Sequence, residues 1–303
     1  MKEKGVIFLA VDNAVFFYLA YNAAASIRVN NKDVPITLFY DPNSNIPKHI
    51  RETDHVSLMF DELIKTPTEK YVFDGKKEIG VIKSDLYFST PYDKTIFIDA
   101  DSQITQNFDI SEAFRLFENS PLWFNVDKTY SREQLDSDSD SFHDTLSWVN
   151  FEEIKERESK KYWRYPQLGS FFHGFKKGKK CNKFFQTVRS VQDKFLNNDI
   201  RYNDFWHGMI PDEAIFISSL LKHPELFRKN NMVKHHFFCD QIGTIDEYGF
   251  DKVNDEFMGI AYSGDEMSGK DIFYYEKMNR ENFHNLNIEY NSAPNYKFSL
   301  FRH

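Results

Sequence analysis

The sequence predicts an α/β fold: a mainly parallel central sheet flanked by helices, in a single domain with a C-terminal segment wrapped over it. Gly5-Val6-Ile7-Phe8-Leu9-Ala10-Val11 is a continuous apolar run, the pattern of a strand buried on both faces. A stretch rich in Ala and aromatics follows to Ile27, with turn residues at Asn30-Asn31. Ile36-Thr37-Leu38-Phe39-Tyr40 then reads as a second strand, closed by Asp41-Pro42. Strand, helix and strand within about forty residues make a βαβ unit with a right-handed crossover. Later, Thr95-Ile96-Phe97-Ile98 is another buried strand, and it runs directly into Asp99-Ala100-Asp101.

Between these landmarks, His55 to Phe60 reads as a third strand and Ile79 to Ser89 as a helix, with a turn at Pro91-Tyr92-Asp93. Residues 127–161 are dense in charge and are expected to form an exposed loop and helix. Phe171 to Phe175 is a short aromatic run, and Asn182 to Phe195 has helical spacing. Asp212 to Leu221 is a further helix, with Pro211 suited to its first turn. From about residue 240 periodicity is weak. The expected organisation is one domain over residues 1–260, with residues 261–303 packing on it.

Composition narrows the function. The 303 residues carry 46 acidic and 38 basic side chains, for a formal net charge of -8. That balance opposes broad nucleic-acid binding, which rests on phosphate neutralisation, although Lys176, Lys177, Lys179 and Lys180 form a local basic cluster. Cys181 and Cys239 are too few for a disulfide framework, and no Cys-x-x-Cys suggests zinc. A reducing, cytoplasmic compartment is the simplest expectation. Lys2, Lys4 and the apolar run imitate a secretory signal, but Asp12 and Asn13 break the run too early. No stretch reaches the roughly twenty apolar residues of a membrane span.

Chemistry concentrates at Asp99-Ala100-Asp101. Two carboxylates at i and i+2 on a tight turn can lean toward one divalent cation, and hard oxygen ligands suit Mg2+ or Mn2+. Such a cation would neutralise a diphosphate leaving group. Alone, the tripeptide is common in a charged chain. Its position, at the carboxyl end of a buried strand where open α/β sheets bind ligands, is what gives it weight.

Tyr92-Asp93-Lys94-Thr95-Ile96-Phe97-Ile98-Asp99-Ala100-Asp101 resembles the Asp-x-Asp segment of GT-A glycosyltransferases, of the glycogenin and lipopolysaccharide-galactosyltransferase type. Ala10-Val11-Asp12-Asn13, Ala25-Ser26-Ile27 and Ile36 to Asp41 resemble that family's opening βαβ unit. The resemblance implies roles by position. Ala10, Val11 and Asp12 would line the nucleotide base pocket. Lys83, on the helix before the Asp-x-Asp, would stand near the sugar nucleotide. Asp99 would contact ribose and metal, and Asp101 would bind the metal.

Three later segments extend it. Gln167-Leu168-Gly169-Ser170-Phe171-Phe172 resembles the family's Asn-Ser-Gly segment facing the donor sugar, with Gly169 and Ser170 in reversed order. Pro211-Asp212-Glu213 resembles the acidic pair opening the next helix, where Asp212 or Glu213 would serve as general base if in reach of the acceptor hydroxyl. The same two acids also suit a helix N-terminus on dipole grounds alone. Tyr262-Ser263-Gly264 with Lys270 stands where the family carries His, Gly and Lys as third metal ligand and phosphate contacts. Tyr262 replaces that His; His235 and His236 are candidate substitutes.

The resemblance implies a nucleoside-diphosphate sugar donor, a UDP-sugar by preference, an acceptor hydroxyl of unspecified class, and Mn2+ or Mg2+. Two other readings stay open. One is a haloacid-dehalogenase-like phosphatase with Asp99 as nucleophile, although Gln103 stands where that family has Thr or Val. The other is a noncatalytic sugar-nucleotide or glycan-binding protein. Asp136-Ser137-Asp138-Ser139-Asp140 begins like a calcium loop but continues with Ser141 and Ser147 where Gly and Glu are needed.

Overall fold

The N-terminal apolar run forms strand β1 (Lys2–Ala10), whose last six residues are buried. Helix α1 (Ala14–Asn30) crosses over, and β2 (Ile36–Tyr40) returns parallel to β1, with Val6 facing Ile36 and Ala10 facing Tyr40. This is a computed structural model. It describes residues 2–11, 14–42, 54–73, 76–104, 109–131, 164–197, 212–223, 226, 232–233, 260–262 and 269–290. Helix α1 lacks an amphipathic stripe because Val15, Phe17, Tyr18, Leu19 and Ala23 to Ala25 are all buried. Arg28 near its end is 7% exposed and is surrounded by acceptors. Its guanidinium donates to the carbonyls of Lys32, Val34, Leu58 and Met59 and to Asp61 Oδ2.

The expected strand at His55 to Phe60 is a helix, α2 (Asp54–Met59), and the third strand is β3 (Glu62–Lys65), parallel to β2. Period decides the matter. Val56, Met59 and Phe60 are buried at i, i+3 and i+4, while Leu58 is 56% exposed. A strand would have buried positions 56, 58 and 60 together.

A short hairpin, β4 (Val72–Phe73) and β5 (Lys76–Lys77), leads to helix α3 (Ile79–Ser89), then β6 (Tyr92–Ile98) and β7 (Ser102–Ile104). Helix α4 (Ile110–Arg115) precedes β8 (Leu122–Ser131), and β9 (Arg164–Lys176) pairs antiparallel with β8. Residues 127–131, expected in an exposed loop, belong to β8, because Thr129, Tyr130 and Ser131 find ladder partners in Pro166, Tyr165 and Arg164. The acidic stretch at Asp136 to Asp140 lies outside the described residues. Helices α5 (Lys179–Leu196) and α6 (Asp212–Leu220), strands β10 (Met232–Val233) and β11 (Ile260–Tyr262), and helix α7 (Gly269–Asn285) complete the order.

The central sheet has seven strands in the order β10-β8-β9-β6-β1-β2-β3. The fold is therefore the expected α/β type, a mostly parallel sheet flanked by helices. The chain forms two compact units, one of residues 1–3, 68–96 and 115–234, the other of 4–67, 97–114 and 235–303. Strands β1 and β6 contribute residues to both.

The first unit has an aromatic core, which accounts for much of the chain's wealth of Phe and Tyr. Tyr87 of α3 stacks on Phe185 of α5, with centroids 4.4 Å apart and planes 6° apart. Phe175 meets Phe185 edge to face, and Phe124 packs on Phe184 and Phe216. Gly174 is required by this packing. A Cβ there would lie 2.2 Å from the buried Trp123 indole. Gly174→Ala is expected to destabilise the fold by about 2–3 kcal/mol through overpacking, read as a lower urea midpoint. Unchanged stability would show that the Trp123 ring moves freely.

In the second unit, α7 is a 17-residue helix where the sequence showed only weak periodicity. Its buried positions include Asn279 and Asn282 as well as Phe283, so polar side chains on the inner face dilute the apolar pattern. Asn279 Oδ1 accepts from Gln103 Nε2, Tyr18 and Tyr290 share a hydroxyl contact at 2.5 Å, and Tyr21 packs on Phe283. Among the described residues no helix is long and apolar enough to cross a membrane.

Candidate active site

Two groups of residues carry the candidate chemistry, one in each unit. The first is the acidic turn. Strand β6 ends at Ile98, and Asp99, Ala100 and Asp101 turn the chain into β7, the Ser102 amide donating to the Asp99 carbonyl at 3.1 Å. Both aspartates are partly exposed, while Ala100 is buried and anchors the turn. Strand β7 is held on two sides. The Ile104 amide donates to Ser26 Oγ at 3.0 Å, and β11 pairs with it antiparallel, Tyr262 opposite Ser102. Tyr262, which the sequence resemblance sets in place of a histidine, is thus in register with the residue next to Asp101. Among the described residues, no third His, Cys, Asp or Glu joins this pair as a metal-holding group. The two carboxylates still fit a hard divalent cation by their chemistry.

Ala10 and Val11 sit at the carboxyl end of β1, both buried, with the Ala10 carbonyl accepting from the Asp41 amide. Asp12, Gly264, Pro211, His235 and His236 lie outside the described residues. Lys270 is the second residue of α7.

The second group draws on three elements of the other unit. Lys83 comes from α3, Gly169 and Ser170 from β9, and Asp212 and Glu213 from the first turn of α6. Lys83 Nζ lies 3.0 Å from Asp212 Oδ2, and the two side chains are only 14% and 11% exposed. Ser170 Oγ donates to Glu213 Oε1 at 2.5 Å. Four residues singled out by resemblance, from three distant segments, are here in one connected cluster.

Its electrostatics separate the two acids. Burial works to raise Asp212, but the Lys83 ammonium and hydrogen bonds from Glu213, Ser170 and Lys83 outweigh it and hold that carboxyl below its ordinary range. Glu213 goes the other way: burial first, then the adjacent Asp212 charge, push it up to about 8. At neutral pH the pair therefore holds one proton, on Glu213, opposite an ionised Asp212.

Sequence reasoning passed over one member of this neighbourhood. His173, 1% exposed, places Nδ1 2.7 Å from the Ser170 carbonyl and lays its ring against Phe124 and Phe216. Burial lowers its pKa to about 4, and the nearby Lys83 charge acts in the same direction. It is neutral, with the proton on Nδ1, since a carbonyl can only accept. A lone histidine inside Phe171-Phe172-His173-Gly174-Phe175 was the available signal.

No protein-family model and no curated protein matches the sequence. Solved structures do match in fold. The glycosyltransferase GlyE of Streptococcus pneumoniae TIGR4 is 12% identical with a TM-score of 0.51, over 97% of this chain and 66% of that one. The apo form of mouse xyloside xylosyltransferase 1 is 11% identical with a TM-score of 0.46, over 87% of this chain and 98% of that one. This chain thus spans just under two thirds of the length of GlyE. At such identities the likeness is one of fold.

Proposed function

We propose that the chain is a glycosyltransferase that moves a sugar from a nucleoside-diphosphate sugar, a UDP-sugar by preference, to an acceptor hydroxyl. The observation that carries the reading is the Lys83–Asp212–Glu213–Ser170 cluster. The resemblance assigns Lys83 and Ser170 to the donor-sugar side and the acidic pair to the transferred sugar or the acceptor, and all four meet although the sequence holds them far apart. The fold shared with GlyE, itself a glycosyltransferase, supports it.

In this reading the ionised Asp212 accepts from sugar hydroxyls while Lys83 fixes its orientation. Glu213, poised near neutrality, is suited to proton transfer. As the acceptor oxygen bonds to the anomeric carbon, the bond from that carbon to the diphosphate oxygen breaks, and the acceptor's proton passes to Glu213 in its ionised form, which predominates only above about pH 8. Asp99 and Asp101 would hold Mn2+ or Mg2+, which supplies charge neutralisation to the diphosphate. Tyr262, Gly264 and Lys270 are proposed to complete the diphosphate side, and Ala10, Val11 and Asp12 the base pocket.

The test is a thermal-shift screen of the full chain against UDP-, GDP- and other sugar nucleotides, with and without Mn2+. A donor at about a hundred times its Kd adds about 2.7 kcal/mol to stability, an upward shift of about 4 °C. Asp101→Ala should lose the Mn2+-dependent part of the shift. No shift with any donor, or an equal one in Asp101→Ala, would overturn the metal-linked donor site.

A further inference from the structure

We infer that His173 is a positioning residue: by clamping a bulge in β9 it sets the place of the Ser170 hydroxyl, and through it the geometry of the Asp212–Glu213 pair. The inference rests on the reading of that pair as functional, and begins with the ladder. Phe124 of β8 faces His173, but the next residue, Asn125, faces Gly169. The register therefore skips Ser170, Phe171 and Phe172 between these two pairs. A bulge this long re-aims the side chains it carries and needs local fixing. Here the three residues are buried, and His173 Nδ1–H reaches back to the Ser170 carbonyl at 2.7 Å, tying the two ends of the bulge together.

The imidazole is well held for that purpose. Its face lies on Phe124, centroids 5.1 Å apart and planes 26° apart, with Phe216 of α6 5.3 Å away. A charged ring would be disfavoured there, since burial and Lys83 both oppose it. Ser170, fixed by the clamp, presents its hydroxyl to Glu213. The charged and titratable groups facing Glu213 among the described residues are Asp212 on its own helix and Lys83 on α3; His173, on β9, is neutral. Because the Ser170 hydroxyl stabilises the ionised form of both carboxyls, losing its placement should raise both.

The experiment follows the Glu213 carboxyl by 13C NMR in the full chain labelled at glutamate, with Glu213→Gln to assign the signal. His173→Phe keeps the ring and removes the donor. It should raise the Glu213 midpoint by about one pH unit, the order of one lost hydrogen bond. His173→Asn, whose amide nitrogen falls near Nδ1, should restore it. If the Phe variant fails to fold, His173→Gln, whose amide falls near Nε2 instead, carries the same expectation. Ser170→Ala should reproduce the shift, and His173→Phe should add nothing in that background. An unmoved midpoint, or an equal shift with and without Ser170, would overturn the positioning role. A titration that responds as expected, in a wild-type chain that no sugar nucleotide stabilises, would leave the clamp standing and sink the donor-site reading.

Discussion

Lys83→Met is expected to cost about 3 kcal/mol of stability at neutral pH and to remove nearly all of the transferase activity proposed for the chain. The substitution keeps the apolar stem and deletes the charge, leaving Asp212 ionised and almost buried with its cation gone. The pH dependence gives the sign. Asp212 has its carboxyl held low, so its ion pair contributes stability above the ordinary value of 3.8 and loses it as pH falls through the lower, folded value. The cost of the variant should therefore be full above about pH 4 and fade as pH falls from there through the lower, folded value. Glu213 has its carboxyl raised, so its contribution is fully present below 4.5 and is lost as pH rises toward about 8. Lys83 lowers both acids, so any residual activity in the variant should have its rising limb displaced from about 8 to higher pH. Urea titrations across pH and a rate profile check the two halves. Equal stability loss at pH 3 and pH 7, or an unmoved limb, would exclude Lys83 as the group that sets this pair.

Arg28→Met should be the largest purely structural loss, about 3–5 kcal/mol, seen as a melting temperature lower by about 5–8 °C. One guanidinium serves four backbone carbonyls and the Asp61 carboxylate, which itself accepts from the Ile36 amide at 2.7 Å. Each carbonyl that loses this donor in a buried setting costs part of its desolvation. Arg28→Lys should recover little, because a lysine offers three donors from one point where this site uses a planar fork. A lysine variant as stable as the wild type would show that charge, not geometry, holds the β2 entry.

The parts of the fold legible in the sequence are those written in local period. The β1–α1–β2 unit, α3 and the strand before Asp99 each carry their pattern within one window. Where a pattern was read with the wrong period, as at Val56 to Phe60, the error came from a run too short to separate 2 from 3.6. Helix α7 escaped for a different reason: Asn279 and Asn282 face inward, and a buried amide looks like surface to any hydropathy count. Lys83 and Asp212 were legible only through resemblance, since nothing local to either announces the other. His173 was legible only as a lone histidine in an aromatic run, with nothing to say what it does. Its part depends on a shift in register between β8 and β9, and register is a property of two strands, not of one segment.

The hydrogen bond from Gln103 to Asn279 joins residues 176 positions apart. At a ribosomal rate of about 5–20 residues per second, Asn279 is made roughly ten to thirty seconds after Gln103. For most of that interval β7 has neither β11 beside it nor α7 against it, and closing so wide a loop carries an entropic cost. The acidic turn is therefore among the last features of the protein to acquire its final surroundings during synthesis. A nascent chain can complete its opening βαβ unit long before it can present Asp99 and Asp101 in their finished form.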